Sequence, residues 1–176
     1  MNQIETALRK DGYAICDHFF DPFKIEEVEK NLQELGVFNY NNPTVSALNL
    51  LKYSKPVKNL ANDIQLIELV SKISKRKMFP VKAFVLDKTL ENNWHIPWHQ
   101  DLKIAVQKEL PLTGYTNWSV EAGIIHVQPP EDIMHELITV RLHLDPCTSE
   151  NGAMFVIPGS HKCGIIHENK LSQLVD

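Results

Sequence analysis

The stretch N-W-H-I-P-W-H-Q-D-L-K-I, residues 93 to 104, places an imidazole and a carboxylate two positions apart, at His99 and Asp101. Pro97 favours an extended backbone, because it disfavours the α region for the residue before it and lacks a backbone donor. In an extended strand, residues i and i+2 project from the same face. We therefore predict that His99 and Asp101 point to one side of a strand and Gln100 to the other.

A histidine nitrogen beside a carboxylate oxygen supplies two thirds of the 2-His-1-carboxylate triad found at many non-haem Fe(II) sites. A His-x-Asp pair also arises often by chance, so this spacing alone is a weak signal of metal binding. His99 and Asp101 are therefore candidate metal ligands, and the case for them depends on the rest of the chain.

A second block strengthens that case. W-H-Q-D-L is followed later in the chain by R-L-H-L-D-P-C-T-S-E-N-G-A-M-F-V-I-P-G-S-H-K-C-G, residues 141 to 164. Together with D-G-Y at residues 11 to 13, these blocks resemble the phytanoyl-CoA dioxygenase family. The resemblance runs from the first of these motifs to the last, so it covers most of the chain.

The resemblance implies an Fe(II)- and 2-oxoglutarate-dependent oxygenase with a double-stranded β-helix, or jelly-roll, core. His99 and Asp101 would be two of the three iron ligands, and 2-oxoglutarate would be the cosubstrate. The substrate would be a small organic molecule that is hydroxylated. The family name suggests a CoA thioester, but resemblance at the metal site does not choose among substrates.

The chain departs from the family pattern near its C-terminal end. In the family, the second ligand histidine and the arginine that binds 2-oxoglutarate come later than any position up to Asp176, and no arginine follows Arg141. We predict that His161, in P-G-S-H-K, belongs to a structural turn and does not complete the triad. The domain is therefore expected to be C-terminally short. It would be a fragment of a longer protein, a chain that pairs with another, or a trimmed non-catalytic form.

Further candidate site residues lie beyond the ligand stretch. Arg141 has apolar neighbours, and an arginine buried there would need a carboxylate partner, which 2-oxoglutarate could provide. An arginine that pairs with a protein acid or faces solvent is an equal alternative. Residues 114–130 form an insertion between two predicted strands, and such segments often line a pocket mouth. Its candidate substrate contacts are Tyr115, Trp118 and His126.

Composition indicates an ordinary globular domain. The 176 residues are 43% hydrophobic and 23% charged, close to typical values. A net charge of −4 gives no reason to expect nucleic acid or an anionic membrane as partner. Three cysteines without C-x-x-C spacing favour a reducing compartment over a disulfide framework. Without a signal-peptide pattern or a membrane-length apolar run, the chain is expected to be cytoplasmic.

The hydrophobic periodicity changes near residue 80. Helical spacing before that point predicts helices near 4–8, 22–35, 45–53 and 56–75, with a strand at 13–20. Alternation after it predicts strands at 81–87, 98–106, 123–127, 138–144 and 153–157, with a short helix at 133–137. We therefore predict a single domain over 1–176, mostly β in an α+β arrangement, with a helical layer over 1–79 and the first part of a jelly roll over 80–176. Its open sheet edges would favour self-association.

Two functions are consistent with the sequence. The first is an Fe(II)/2-oxoglutarate-dependent oxygenase, which is favoured because both His99 and Asp101 are present. The alternative is a non-catalytic relative that acts as a binding or interaction module. A chain that ends at Asp176 is expected to be inactive, because it lacks a secure third ligand and the 2-oxoglutarate arginine. The DNA downstream of the codon for Asp176 would distinguish a truncated enzyme from a module.

Overall fold

The computed structural model describes residues 3–38, 49–88, 96–121 and 123–171. In chain order these contain α1 (Gln3–Asp11), α2 (Pro22–Glu34), α3 (Leu50–Tyr53), α4 (Lys55–Ala61), α5 (Ile64–Ser74), β1 (Ile104–Val106), β2 (Thr116–Glu121), β3 (Ile124–Gln128), α6 (Glu131–Met134), a 3-10 helix (Ser160–Cys163) and α7 (Glu168–Leu171). The longer helices precede the strands, as expected for the α+β class. The sheet is small and open, so the described residues are less β-rich than the sequence predicts.

The start of α2 follows its sequence signals closely. The Asp21 side chain accepts a hydrogen bond from the backbone N–H of Phe23 at 2.9 Å. Pro22 occupies the first helical position, where a missing backbone donor costs nothing. Gly36 follows the helix with a φ of +65°, a conformation that glycine adopts without strain. The predicted bounds of this helix therefore agree with its cap residues.

The helix predicted over residues 56–75 is divided in two at Asp63. Its carboxylate accepts a hydrogen bond from the backbone N–H of Gln65 at 2.9 Å, and α5 begins there. Lys24 of α2 donates to the same carboxylate at 2.5 Å, and this hydrogen bond holds the pKa of Asp63 below its usual value. A local cap thus interrupts a continuous apolar pattern.

Of the helix predicted over 45–53, residues 45–48 lie outside the described residues and the remainder contains α3.

The hydrophobic core lies between the helices and the extended segment 79–88. Its buried centre consists of Val28, Leu32, Val37 and Leu50. Ala83 and Val85 pack against this centre, whereas Phe84 and Leu86 are 45% and 42% exposed. The backbone N–H of Leu50 donates to the Ala83 carbonyl at 3.0 Å and ties the segment to α3. The segment alternates in burial around Ala83 and Val85, although it is not paired as a strand.

Several predicted strands are not formed in the described part of the chain. Residues 81–87, 138–144 and 153–157 are irregular, and residues 98–106 contain only the three-residue strand β1. The prediction for residues 13–20 was also wrong, since a turn occurs there and His18 has a φ of +52°. A strand requires backbone partners on a neighbouring strand, and alternation within one segment does not supply them.

The three strands form one antiparallel sheet in the order β1-β3-β2. In β3, His126 faces Ala105 of β1 on one side and Ser119 of β2 on the other. The prediction at 123–127 corresponds to β3, whereas β2 lies in the segment that was predicted to be an insertion. Within the described residues, β1 and β2 each keep one edge without a partner strand. Self-association through these edges stays a prediction.

Neither a membrane span nor a disulfide is found among the described residues. No helix in the ranges that the structure describes has both the length and the apolar content required to cross a bilayer. The three cysteines carry free thiols, and Cys16 and Cys163 are exposed.

Candidate metal centre

The two predicted ligands lie in an irregular segment that leads into β1. The strand expected here is not formed, because the chain bends at Trp98 and has no strand partner before Ile104. The side chains nevertheless lie close together, with His99 Nε2 3.9 Å from Asp101 Oδ1. They are 56% and 74% exposed. Their shared direction therefore matches the i, i+2 spacing, while metal ligation stays a prediction.

The backbone orients the His99 ring. Its Nδ1 lies 2.8 Å from the carbonyl oxygen of Pro97. A carbonyl can only accept, so this contact requires the proton on Nδ1. The lone pair of a neutral ring then lies on Nε2, the nitrogen nearer Asp101. Metal-binding histidines in proteins commonly have this arrangement, with one ring nitrogen bound to a carbonyl and the other to the metal.

The two donor atoms are close enough for one metal ion to reach both, at an angle wider than a right angle. Bonds of about 2.0–2.2 Å to nitrogen and carboxylate oxygen allow one ion to contact both His99 Nε2 and Asp101 Oδ1 across the observed 3.9 Å. A right angle at the ion would require a separation of about 3 Å with the same bond lengths. Both side chains are exposed enough to rotate by that amount. The donor pair also matches the imidazole and carboxylate of the facial triad.

A third ligand is not found in the part of the chain that the structure describes. No group of three His, Cys, Asp or Glu side chains there is arranged to hold a metal ion. His161 lies in the predicted turn, where its ring packs against Gly12. Gly159 has a φ of +79° and its backbone N–H donates to the Asp11 carbonyl at 2.8 Å. His161 is thus placed by contacts with the end of α1.

A cavity of about 600 Å³ opens beside Asp101. Its walls come from α1, the end of α5, α6 and residues 160–165. The apolar part of the lining includes Leu8, Ile73, Leu102, Met134 and Ile165. Polar side chains at the cavity include the pair Glu131 and His135, which lie 3.6 Å apart. The cavity gives space for a small molecule next to one of the two predicted ligands.

Glu131 and His135 were not singled out from the sequence. Their i, i+4 spacing in a predicted short helix is the signal that could have identified them as neighbours. Their position at the cavity depends on how α6 packs, and local spacing does not give that.

His161 also lines this cavity, whereas Arg141, Tyr115 and Trp118 do not. Arg141 is exposed in an irregular segment. Tyr115 precedes β2 and Trp118 lies within it, and both are partly buried. Their predicted contacts with cosubstrate or substrate stay predictions.

His126, the fourth candidate, is a buried histidine in the middle of the sheet. It is 2% exposed, and its Nδ1 lies 3.1 Å from the carbonyl oxygen of Ile124. Its Nε2 has no hydrogen-bond partner among the described residues. Burial lowers the pKa of His126 below its ordinary 6.5, and the charge of Lys82 lowers it further, against a smaller opposite effect of Glu121. The imidazole is therefore neutral at neutral pH.

The buried histidine predicts a pH dependence of stability. Because its pKa is lowered in the fold, the unfolded chain binds more protons than the native state once the pH falls below about 6.5. Stability should therefore fall with decreasing pH, with a contribution from His126 of up to about 1.4 kcal/mol per pH unit. Urea unfolding of the parent and of His126→Gln between about pH 7.5 and about pH 5, the range in which histidine titrates, measures this contribution. Equal slopes for the two proteins would contradict it.

We next compared the chain with known protein families, curated proteins and solved structures. A family model described as Phytanoyl-CoA dioxygenase (PhyH) matches residues 8–173. Comparisons with curated proteins and with solved structures gave no match. The matched range contains the His99–Asp101 pair, the turn of His161 and nearly all of the chain. The chain therefore belongs to the phytanoyl-CoA dioxygenase family.

Proposed function

We propose that the protein is an Fe(II)- and 2-oxoglutarate-dependent oxygenase that hydroxylates a small organic substrate. One observation carries the proposal: in a chain of a dioxygenase family, His99 Nε2 and Asp101 Oδ1 lie 3.9 Å apart, next to a cavity. We further propose that the β1-β3-β2 sheet is part of a jelly-roll core and that the protein works in the cytoplasm. The three free thiols support a reducing compartment.

The protein's own residues would bind, orient and shield the reacting groups. Bound Fe(II), with 2-oxoglutarate and O2, supplies the oxidative decarboxylation that is coupled to hydroxylation of a C–H bond. His99 would bind through Nε2 in its neutral form, with its ring held by the Pro97 carbonyl. Asp101 would bind as a carboxylate and offset part of the ion's charge. The cavity at Asp101 would hold the substrate and limit the access of water.

Contacts to the cosubstrate and substrate are part of the same proposal. Arg141 would bind a carboxylate of 2-oxoglutarate, and its exposure leaves the guanidinium accessible. Tyr115, Trp118 and His126 stay proposed substrate contacts, although none of them lines the cavity beside Asp101. The two aromatic residues are partly buried, and the unsatisfied Nε2 of the neutral His126 ring can accept a hydrogen bond, because the contact of Nδ1 with the Ile124 carbonyl places the ring proton on Nδ1.

Binding of 2-oxoglutarate to the anaerobic protein tests the proposal. Equilibrium dialysis with radiolabelled 2-oxoglutarate should detect binding when Fe(II) is present and much weaker binding when it is absent. The reason is that the ion provides the main contact for the cosubstrate. The dependence on Fe(II) should disappear in His99→Ala. Binding that is equal with and without Fe(II) would contradict the proposal.

Succinate release is a separate measurement. The 176-residue chain is expected to release little succinate from 2-oxoglutarate, because its described residues offer only two of the three ligands that the proposed iron would need. The alternative function, a non-catalytic binding or interaction module, predicts no effect of Fe(II) on 2-oxoglutarate binding. The dialysis experiment therefore distinguishes the two functions, whereas little succinate release is expected for both.

A further inference from the structure

Gln100 differs from both of its neighbours in its surroundings. His99 and Asp101 are exposed, whereas Gln100 between them is partly buried. Its Nε2 donates to the carbonyl oxygen of Gly164 at 3.0 Å. Its Oε1 accepts from the backbone N–H of Ile166 at 2.7 Å. The side chain thus uses both ends of its amide on one backbone segment.

These two hydrogen bonds replace the strand pairing that the ligand segment lacks. The amide binds the C=O of residue 164 and the N–H of residue 166, the two groups that one residue of a neighbouring parallel strand would bind. The partners are 64 and 66 positions away along the chain. We call this pair of bonds the Gln100 clamp. It joins a segment without secondary structure to a distant part of the fold.

The backbone that receives the clamp is itself fixed. Gly164 has a φ of +66° and a ψ of −150°, a backbone conformation that is essentially restricted to glycine, and it lies beside the Glu131 carboxylate of α6. Just before it, the Lys162 ammonium donates to the Lys10 carbonyl at 2.8 Å. The same turn is bonded to α1 through the N–H of Gly159. The clamp therefore connects the ligand segment to a turn that is hydrogen-bonded to α1.

We infer that Gln100 is a positioning residue, which sets the direction of His99 and Asp101 by clamping their segment to the backbone of residues 164–166. The inference rests on the proposed function, since it concerns the ligands of the proposed iron. Because successive side chains of an extended segment point to opposite sides, fixing Gln100 inward directs both neighbours outward together. Losing a group that hydrogen-bonds a metal ligand typically lowers metal affinity by about 10- to 100-fold, and we expect a loss of that order when the ligand segment is no longer held.

Two uncharged substitutions test the clamp. Gln100→Met keeps the length of the side chain and removes both hydrogen bonds, and Gln100→Asn keeps the amide but shortens it. Each should lower the affinity for Fe(II), measured anaerobically by calorimetry, by about 10- to 100-fold. Each should also change the visible spectrum of bound Co(II), which reports ligand geometry. Without any metal, the amide proton of Ile166 should exchange faster in both variants, since it loses its acceptor.

Gln128→Met is the matched control. It makes the same substitution at another partly buried glutamine and removes the hydrogen bond that Asn117 donates to it at 2.7 Å, but it leaves the clamp in place. It should leave Fe(II) affinity and the Co(II) spectrum unchanged. Parent-like Fe(II) affinity in folded Gln100→Met would overturn the inference, and Gln100→Asn decides if the methionine variant does not fold. If the parent itself binds no Fe(II), the proposed function fails and the inference fails with it. Parent-like affinity in folded Gln100→Met overturns the inference alone, so the two failures are distinguishable.

Discussion

Replacing either His99 or Asp101 by alanine is expected to lower the affinity of the protein for Fe(II) by at least about 10- to 100-fold. Loss of an outer-shell contact already has an effect of that size, and each of these substitutions would remove a direct ligand. The effect should be large in both cases, because the described residues offer no third ligand that could compensate. Anaerobic calorimetry with Fe(II) measures the affinity directly.

His143→Ala is the control for this comparison. His143 is exposed and lies in the irregular segment near Arg141, away from the ligand pair in sequence. Its removal should leave Fe(II) affinity unchanged. Parent-like binding by His99→Ala, or equal losses in all three variants, would show that the histidine and carboxylate are not the iron ligands.

The largest expected effect on stability comes from Leu32→Ala. Leu32 is 1% exposed and belongs to the buried centre of the core between the helices and the segment 79–88. Truncating this side chain removes buried apolar surface and leaves a cavity, and such changes usually destabilise a domain by about 2–5 kcal/mol. Urea unfolding monitored by circular dichroism should show a lower midpoint at an unchanged slope.

Ile64→Ala is the control for Leu32→Ala at an exposed position. Ile64 begins α5 and is 66% exposed, so its truncation should change stability by less than about 0.5 kcal/mol. A similar destabilisation at both positions would indicate that Leu32 is not packed in a core.

The sequence predicted elements whose signals are local. Asp21 and Pro22 define the start of α2, and the side chain of Asp21 caps it as expected. The short helix near residue 133 corresponds to α6, and the strand predicted at 123–127 corresponds to β3. Each of these depends on contacts within a few residues, which is why a pattern in one short window was sufficient.

Features that depend on distant partners could not be predicted in the same way. The segments 138–144 and 153–157 alternate in sequence but find no strand partner among the described residues, so they are irregular. β2 was missed because T-N-W-S-V-E was interpreted as part of an insertion, although its aromatic and β-branched residues favour a strand.

The candidate site likewise combines a feature that local spacing predicts with contacts that it does not predict. The common direction of His99 and Asp101 follows from their spacing, and the observed 3.9 Å between their donor atoms agrees with it. The two hydrogen bonds of Gln100 join residues 64 and 66 positions apart, and no local pattern indicates them. The contact of His161 with Gly12 also joins parts of the chain that are distant in sequence, although P-G-S-H-K did indicate a turn.

Anomalous diffraction at the iron absorption edge tests most directly whether His99 and Asp101 hold an iron ion. Crystals would be grown without oxygen in the presence of Fe(II). We predict one anomalous peak within about 2.0–2.2 Å of both His99 Nε2 and an Asp101 carboxylate oxygen. A peak bound by other side chains, such as His161 or the Glu131–His135 pair, with His99 and Asp101 unliganded, would contradict the claim.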